Sequence, residues 1–225
     1  LNQNPGVLPG FNCAAIATRA VVGYRVSHMQ AILVHGLAGS PNNHFFPWLR
    51  KELKKRGIPS KAPKLPHPFL PVRNEWVDTL AAAVEDPTQT ILIGHSLGCP
   101  TILEYLEKHR GRKKFQLVIL VAGFGRHFLN PDVEKFQSRL LHWHESSADF
   151  EKIRSKSKKF VCINSTDDPL VPYAEGKWLA KQLKAELVTE KKQHFLAVAG
   201  HGVTELPSAL DAVVCNVKIP NPRKS

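Results

Sequence analysis

A three-layer α/β sandwich, with a mostly parallel central sheet and helices on both faces, is the fold this sequence predicts. Two observations carry that expectation. Short apolar runs of strand type alternate with helical stretches from Ala31 to Asn216, the signature of βαβ units. The strongest runs, around Ile91 and from Phe115 to Ala122, carry no charge, as strands covered on both faces do. At 225 residues the chain is long enough to bury one large core.

Taken in order, Ala31–His35 reads as the first strand, and Phe45–Arg56 as an amphipathic helix closed by Gly57. Residues 58–71 are proline-rich and leave room for a short extended piece only. Asn74–Val84 is helical, with Asn74 as a plausible N-cap. Thr90–Gly94 is a strand, and Thr101–His109 lies on the helix that follows it. Phe115–Ala122 is a further strand, and Pro131–Ser157 holds one or two helices. Phe160–Asn164 is a strand, Tyr173–Leu183 a helix, Glu186–Thr189 the last strand and about Pro207–Asn216 the closing helix. There is no internal repeat.

Composition excludes several classes. No apolar stretch approaches the ~20 residues of a membrane span. The formal charge is +12, but the basic clusters Arg50–Arg56, His109–Lys114 and Lys152–Lys159 sit at helix ends or in loops, where cations are solvated. They lack interleaved aromatics, so nucleic acid is not an expected partner. The four cysteines, Cys13, Cys99, Cys162 and Cys215, show no paired spacing and read as reduced thiols.

The most informative segment is Ile91-Leu-Ile-Gly-His-Ser-Leu-Gly98. A strand leads into Gly-x-Ser-x-Gly and a helix follows at once, which is the context of a nucleophile elbow. Glycines at 94 and 98 allow the tight strand–helix approach. Ser96 is thereby lifted to the positive end of a helix, where an alkoxide-like oxygen is favoured.

Ligands of open parallel sheets bind outside the carboxyl ends of the strands, so partners for Ser96 are expected in the residues after each strand. After the first strand comes His35-Gly-Leu-Ala-Gly-Ser40, whose Leu37 N–H is an oxyanion donor to pair with that of Leu97. After Phe160–Asn164 comes Ser165-Thr-Asp-Asp-Pro-Leu-Val-Pro172. Of its two aspartates, Asp168 is the expected acid and Asp167 a loop residue or helper. His194 and His201 both follow the last strand. His194 is the expected base because a short tether to a rigid strand holds it better within reach of Ser96. His201, in Ala-Gly-His-Gly, is the alternative base. Either preserves the chain order Ser…Asp…His.

With these pieces in place, the chain resembles the small single-domain serine hydrolases of the retinoblastoma-binding-protein-9 type, within the α/β-hydrolase superfamily. The resemblance runs from about Ala31 to Asn216. It rests on His35-Gly36, Ser40-Pro41, Phe46-Pro47-Trp48-Leu49, Pro63-x-Leu65-Pro66-x-Pro68 and Gly94-His-Ser-Leu-Gly-Cys-Pro100. It rests also on Val121-Ala-Gly123, Asp149-Phe-Glu-Lys-Ile153, Thr166-Asp-Asp-Pro-Leu-Val-Pro172, His194-Phe195 and Leu206-Pro207. It implies Ser96 as nucleophile, Asp168 as acid and His194 as base, with a minimal lid, no cofactor, no metal, and hydrolysis of small esters or amides. One departure stands out: Gln193 occupies the place of the glycine usually found before that histidine. A tilt of the loop there would return weight to His201. The family name carries a binding function, but the nearest Leu-x-Cys-x-Glu match, Leu97-Gly-Cys-Pro-Thr101, ends in Thr and falls in the elbow helix.

Other clusters read more blandly. His142-Trp-His144-Glu145 lacks a zinc signature and reads as surface. Trp48 and Trp76 read as core, Phe124, Phe128 and Trp143 as core or pocket wall, and Cys99 as a small helix filler. The expected organisation is a leader over 1–28, an α/β-hydrolase domain over 29–219 and a tail over 220–225. The substrate would be a small ester or amide of unassigned acyl length, and the oligomeric state is open. A cytoplasmic location is expected, with organellar targeting by residues 1–28 as the alternative. A rival reading keeps the fold as a protein-interaction scaffold with weak catalysis.

Overall fold

The structure, a computed structural model, describes residues 29–128, 130 and 148–218. The expected leader, the tail from 220, Cys13, Trp143, the His142–Glu145 cluster and most of the expected helical segment 131–157 lie outside the described residues. Six strands form one parallel sheet. These are β1 (Gln30–Val34), β2 (Ser60–Lys61), β3 (Thr90–His95), β4 (Leu117–Val121), β5 (Phe160–Ser165) and β6 (Glu186–Glu190), in the order β2-β1-β3-β4-β5-β6. The helices are α1 (Phe46–Lys55), α2 (Arg73–Ala83), α3 (Gly98–Lys108), α4 (Phe150–Ser155), α5 (Tyr173–Leu183) and α6 (Pro207–Asn216).

The period-2 geometry of a strand sends alternate side chains to opposite faces, and here both faces are apolar. Ile32, Val34, Leu92, Val118, Leu120 and Cys162 join the core beneath α2, α3, α4 and α5. Ala31, Leu33, Ile91, Ile93, Ile119 and Ile163 join the other, beneath α1 and α6. Trp76 is fully buried in the first core, while Trp48 is only half-buried against the second.

Two expectations are corrected. Asn74 does not cap α2: the helix starts one residue earlier, with Val72 as its cap, and Asn74 instead accepts a hydrogen bond from Lys108 on α3 at 3.1 Å. The reading of reduced thiols holds for Cys99 and Cys162, which are free and buried, but not for Cys215, which is disulfide-bonded. A small hairpin, β7 (Ala197–Val198) with β8 (His201–Gly202), follows β6. Two-residue strands have no alternation to read, so it left no trace in the pattern. No helix among the described residues is long and apolar enough to cross a membrane.

Sheet order decides where a site can form. From β1 the chain first lays β2 on one side, then crosses to lay β3 on the other. The loops after β1 and β3 therefore diverge above the switch point and leave a crevice between them.

Candidate active site

The turn after β3 is built by close contact. Ser96 has φ +52° and its amide donates to Val121 O on β4 at 2.9 Å, anchoring a strained turn to its neighbour. Gly98 opens α3 against β1 so closely that a Cβ there would lie 2.1 Å from Val34 O. No side chain fits in that space.

Two further loops converge on Ser96. The Ser96 hydroxyl donates to His194 Nε2 at 2.8 Å. His194 Nδ1–H in turn donates to Asp168, 2.8 Å from Oδ2 and 3.0 Å from Oδ1. The side chains of His194 and Asp168 are 5% and 1% exposed. Asp168 Oδ1 also accepts from the amides of Leu170 and Val171 at 2.8 and 2.9 Å, so the carboxylate is held from both sides. Asp167 faces elsewhere. It accepts from Ser165 Oγ at 2.6 Å and from the Gln193 amide at 2.8 Å, tying the loop that carries Asp168 to the loop that carries His194. Those hydrogen bonds, that from Ser165 foremost, hold its carboxyl below the usual range.

His201 is exposed on β8 and is not among the residues lining the Ser96 cavity. Gln193, in the place of the usual glycine, has φ +47°. The left-handed turn that glycine would supply is therefore made by glutamine, and His194 still reaches Ser96.

The Leu37 and Leu97 amides carry no hydrogen bond to the fold among the described residues. Both residues line the cavity beside Ser96. The Leu37 loop is fixed at its neighbours, with Ala38 N donating to Pro68 O at 2.7 Å and Gly39 N to Gly36 O at 3.1 Å. Two free amides on braced backbone are what an oxyanion site requires.

A buried histidine network supports these loops. His35 Nδ1–H donates to Gly36 O at 2.8 Å while its Nε2 accepts from Leu65 N at 3.2 Å. His95 Nε2–H donates to the His194 carbonyl at 3.0 Å, locking the backbone that carries His194. Burial pushes the pKa of His35 down and that of His95 well down, so both are neutral struts. Cys99 is no second nucleophile. Its thiol bonds Val121 O at 3.3 Å, and burial raises its pKa well above the ordinary value.

The cavity over Ser96 has a volume of about 260 Å³. Its apolar wall is Leu37, Phe124, Phe128, Leu170, Val171 and Leu196, and its polar corner is His44, His95 and His194. The sequence left Phe124 and Phe128 undecided between core and pocket; they pack edge to face at 5.3 Å and line the cavity. It missed His44, His35 and His95 as parts of the site. For His35 and His95 a signal existed, since both stand at the carboxyl edge of a strand.

The family profile described as serine hydrolase matches residues 31–212. The chain belongs to the serine hydrolase family. It is 36% identical over 186 residues to YdeN of Bacillus subtilis (strain 168), a hydrolase by name, covering 82% of this chain and 94% of that protein. It is also 26% identical over 164 residues to the serine hydrolase RBBP9 of Rattus norvegicus, covering 72% and 83% of the two chains. Among solved structures, the ydeN gene product from B. subtilis superposes with a TM-score of 0.75 at 34% identity, covering 83% of this chain and 97% of that one. Est1E from Butyrivibrio proteoclasticus, at 13% identity, shares the fold with a TM-score of 0.62 over 85% of this chain and 87% of its own. This serine hydrolase is thus an enzyme on an α/β-hydrolase fold, and its hydrogen-bonded Ser96 lies within the matched region.

Proposed function

We propose that this serine hydrolase cleaves small carboxylic esters or amides through a Ser96–His194–Asp168 triad and an acyl-enzyme. The observation that carries this reading is the unbroken relay from Ser96 Oγ to His194 to Asp168, each link at 2.8 Å.

Ser96 Oγ attacks the carbonyl carbon while His194 Nε2 takes its proton. Asp168 holds the Nδ1–H tautomer and stabilises the imidazolium that forms. The Leu37 and Leu97 amides receive the oxyanion. His194 then hands the proton to the leaving oxygen or nitrogen as the carbon–heteroatom bond breaks. Water, deprotonated by His194, attacks the acyl-enzyme and releases the acid, returning the proton to Ser96. The proposed triad supplies both the nucleophile and the base, so the chemistry calls for no cofactor.

The cavity supports a neutral, apolar acyl group. Among the described residues no lysine, arginine or carboxylate lines it, and Asp168 is fully engaged with His194 and two amides. A charged acyl group would lose its hydration there without a counter-charge. The scaffold reading, motivated by Gln193, finds no support in the loop, because His194 is within hydrogen-bond distance of Ser96.

The test is steady-state hydrolysis of a short-chain p-nitrophenyl ester. Ser96→Ala is expected to lower kcat/KM about a thousandfold or more, and Asp168→Asn by a similar order. Full turnover by folded Ser96→Ala would refute the mechanism.

A further inference from the structure

We infer that His44 contacts substrate directly: its Nε2–H is a hydrogen-bond donor for an acceptor on the leaving group. The preferred substrates are then esters or amides whose alcohol or amine portion carries an ether or carbonyl oxygen near the scissile bond. This rests on the serine-nucleophile reading above and adds a residue and a substrate class to it.

The tautomer follows from one contact. His44 Nδ1 lies 2.9 Å from the Ala197 amide nitrogen and 3.2 Å from the Ala197 carbonyl oxygen. A backbone amide can only donate, so Nδ1 of the neutral ring accepts, and the ring proton sits on Nε2. Burial, the largest influence, lowers the His44 pKa, which keeps the ring neutral. Nε2 has no hydrogen-bond partner among the described residues, and the ring lines the cavity over Ser96.

Its backbone is held there against strain: His44 has φ +56°, a left-handed conformation that side chains rarely adopt. The ring packs edge-on against His95 at 5.5 Å, and His95 lies 5.3 Å from His194. Ala197, which fixes the tautomer, is three residues beyond His194. These ring contacts place His44 in the corner of His194, which returns its proton to the departing group. A donor in that corner serves the leaving group rather than the acyl chain.

The experiment compares two esters of one short acid that differ only at one atom of the alcohol: the methoxyethyl ester, with an ether oxygen, and the n-butyl ester, with a methylene there. The wild type is expected to favour the methoxyethyl ester in kcat/KM by roughly five- to tenfold, the worth of one hydrogen bond. His44→Phe should abolish that preference, read as the ratio of the two kcat/KM values within the variant, so that any general loss of activity cancels. His44→Asn tolerates the left-handed backbone and restores an N–H donor, so it should keep part of the preference. No preference in the wild type overturns the inference without any variant, and so does a preference that survives His44→Phe. Wild type that neither labels nor hydrolyses either ester would overturn the serine-nucleophile reading, and this inference with it.

Discussion

At the scale of the residue, positive φ at side-chain-bearing positions gathers at the carboxyl edge of the sheet: Ala38, Ser96, Ala122, Gln193 and Phe195 lie between +47° and +57°. Each such angle costs about 1–3 kcal/mol unless its surroundings impose it. Around Ser96 the surroundings are visible as hydrogen bonds that pin each loop. Gln193 is the position where relief is simplest, since its side chain has no hydrogen-bond partner among the described residues. Gln193→Gly is expected to raise stability by about 0.5–1 kcal/mol and leave kcat unchanged, as read from urea unfolding and ester turnover. A loss of stability would show that the glutamine side chain contributes something its contacts do not reveal. His95 bears on the same loop from below. His95→Ala removes the bond to the His194 carbonyl and opens a buried space. A drop in kcat with little change in KM is the expected outcome, because the change displaces His194, the proposed base, rather than substrate binding.

At the scale of the element, the elbow between β3 and α3 is the least tolerant part of the molecule. A methyl group at Gly98 would meet Val34 O and its carbon at 2.1 and 2.8 Å. These are backbone atoms of a central strand and have nowhere to go. Gly98→Ala should cost several kcal/mol, on the order of 3 or more, or yield no folded protein; a midpoint within experimental error of wild type would contradict this packing. This element was the most legible in the sequence, because the glycine spacing is itself the steric requirement. Tyr173–Leu183 and Pro207–Asn216 were legible to the residue, since proline near the start marks both boundaries and their faces are plainly apolar. The start of α2 was not. The one side chain suited to capping, Asn74, found Lys108 instead, and α2 relies on packing beneath Trp76. Nor did spacing reveal the polar corner of the cavity. His44 reaches it through a left-handed turn and Ala197 through a hairpin of two-residue strands, and neither has a periodicity to read.

At the scale of the whole molecule, the buried histidines make the fold sensitive to acid. His35, His44, His95 and His109 all have pKa values pushed below 6.5, in each case chiefly by burial. Their neutral forms are buried, wholly for His35 and His95 and partly for His44 and His109, above pH 6.5. As pH falls below that, the unfolded chain takes up protons that the folded chain refuses, so stability declines. The urea midpoint should therefore fall between pH 7.5 and 5.5, and His95→Gln should flatten the slope; a flat wild-type profile would contradict the assigned neutrality. The net charge of +12 adds self-repulsion in the same direction. Ion pairs such as Arg126 with Glu175 at 2.7 Å and Lys159 with Glu186 at 3.1 Å cancel within themselves and leave that excess unchanged. The partly exposed Lys159–Glu186 pair contributes little to stability.

A Ser96 nucleophile activated by His194, as proposed, should react with a fluorophosphonate probe. Wild type, Ser96→Ala, His194→Ala and His201→Ala would be exposed to the probe, and the modified peptide located by mass. The account predicts a single adduct on Ser96, absent in Ser96→Ala, slowed by orders of magnitude in His194→Ala and unaffected in His201→Ala. An adduct that depends on His201 and not on His194, or no adduct on correctly folded wild type, would contradict it.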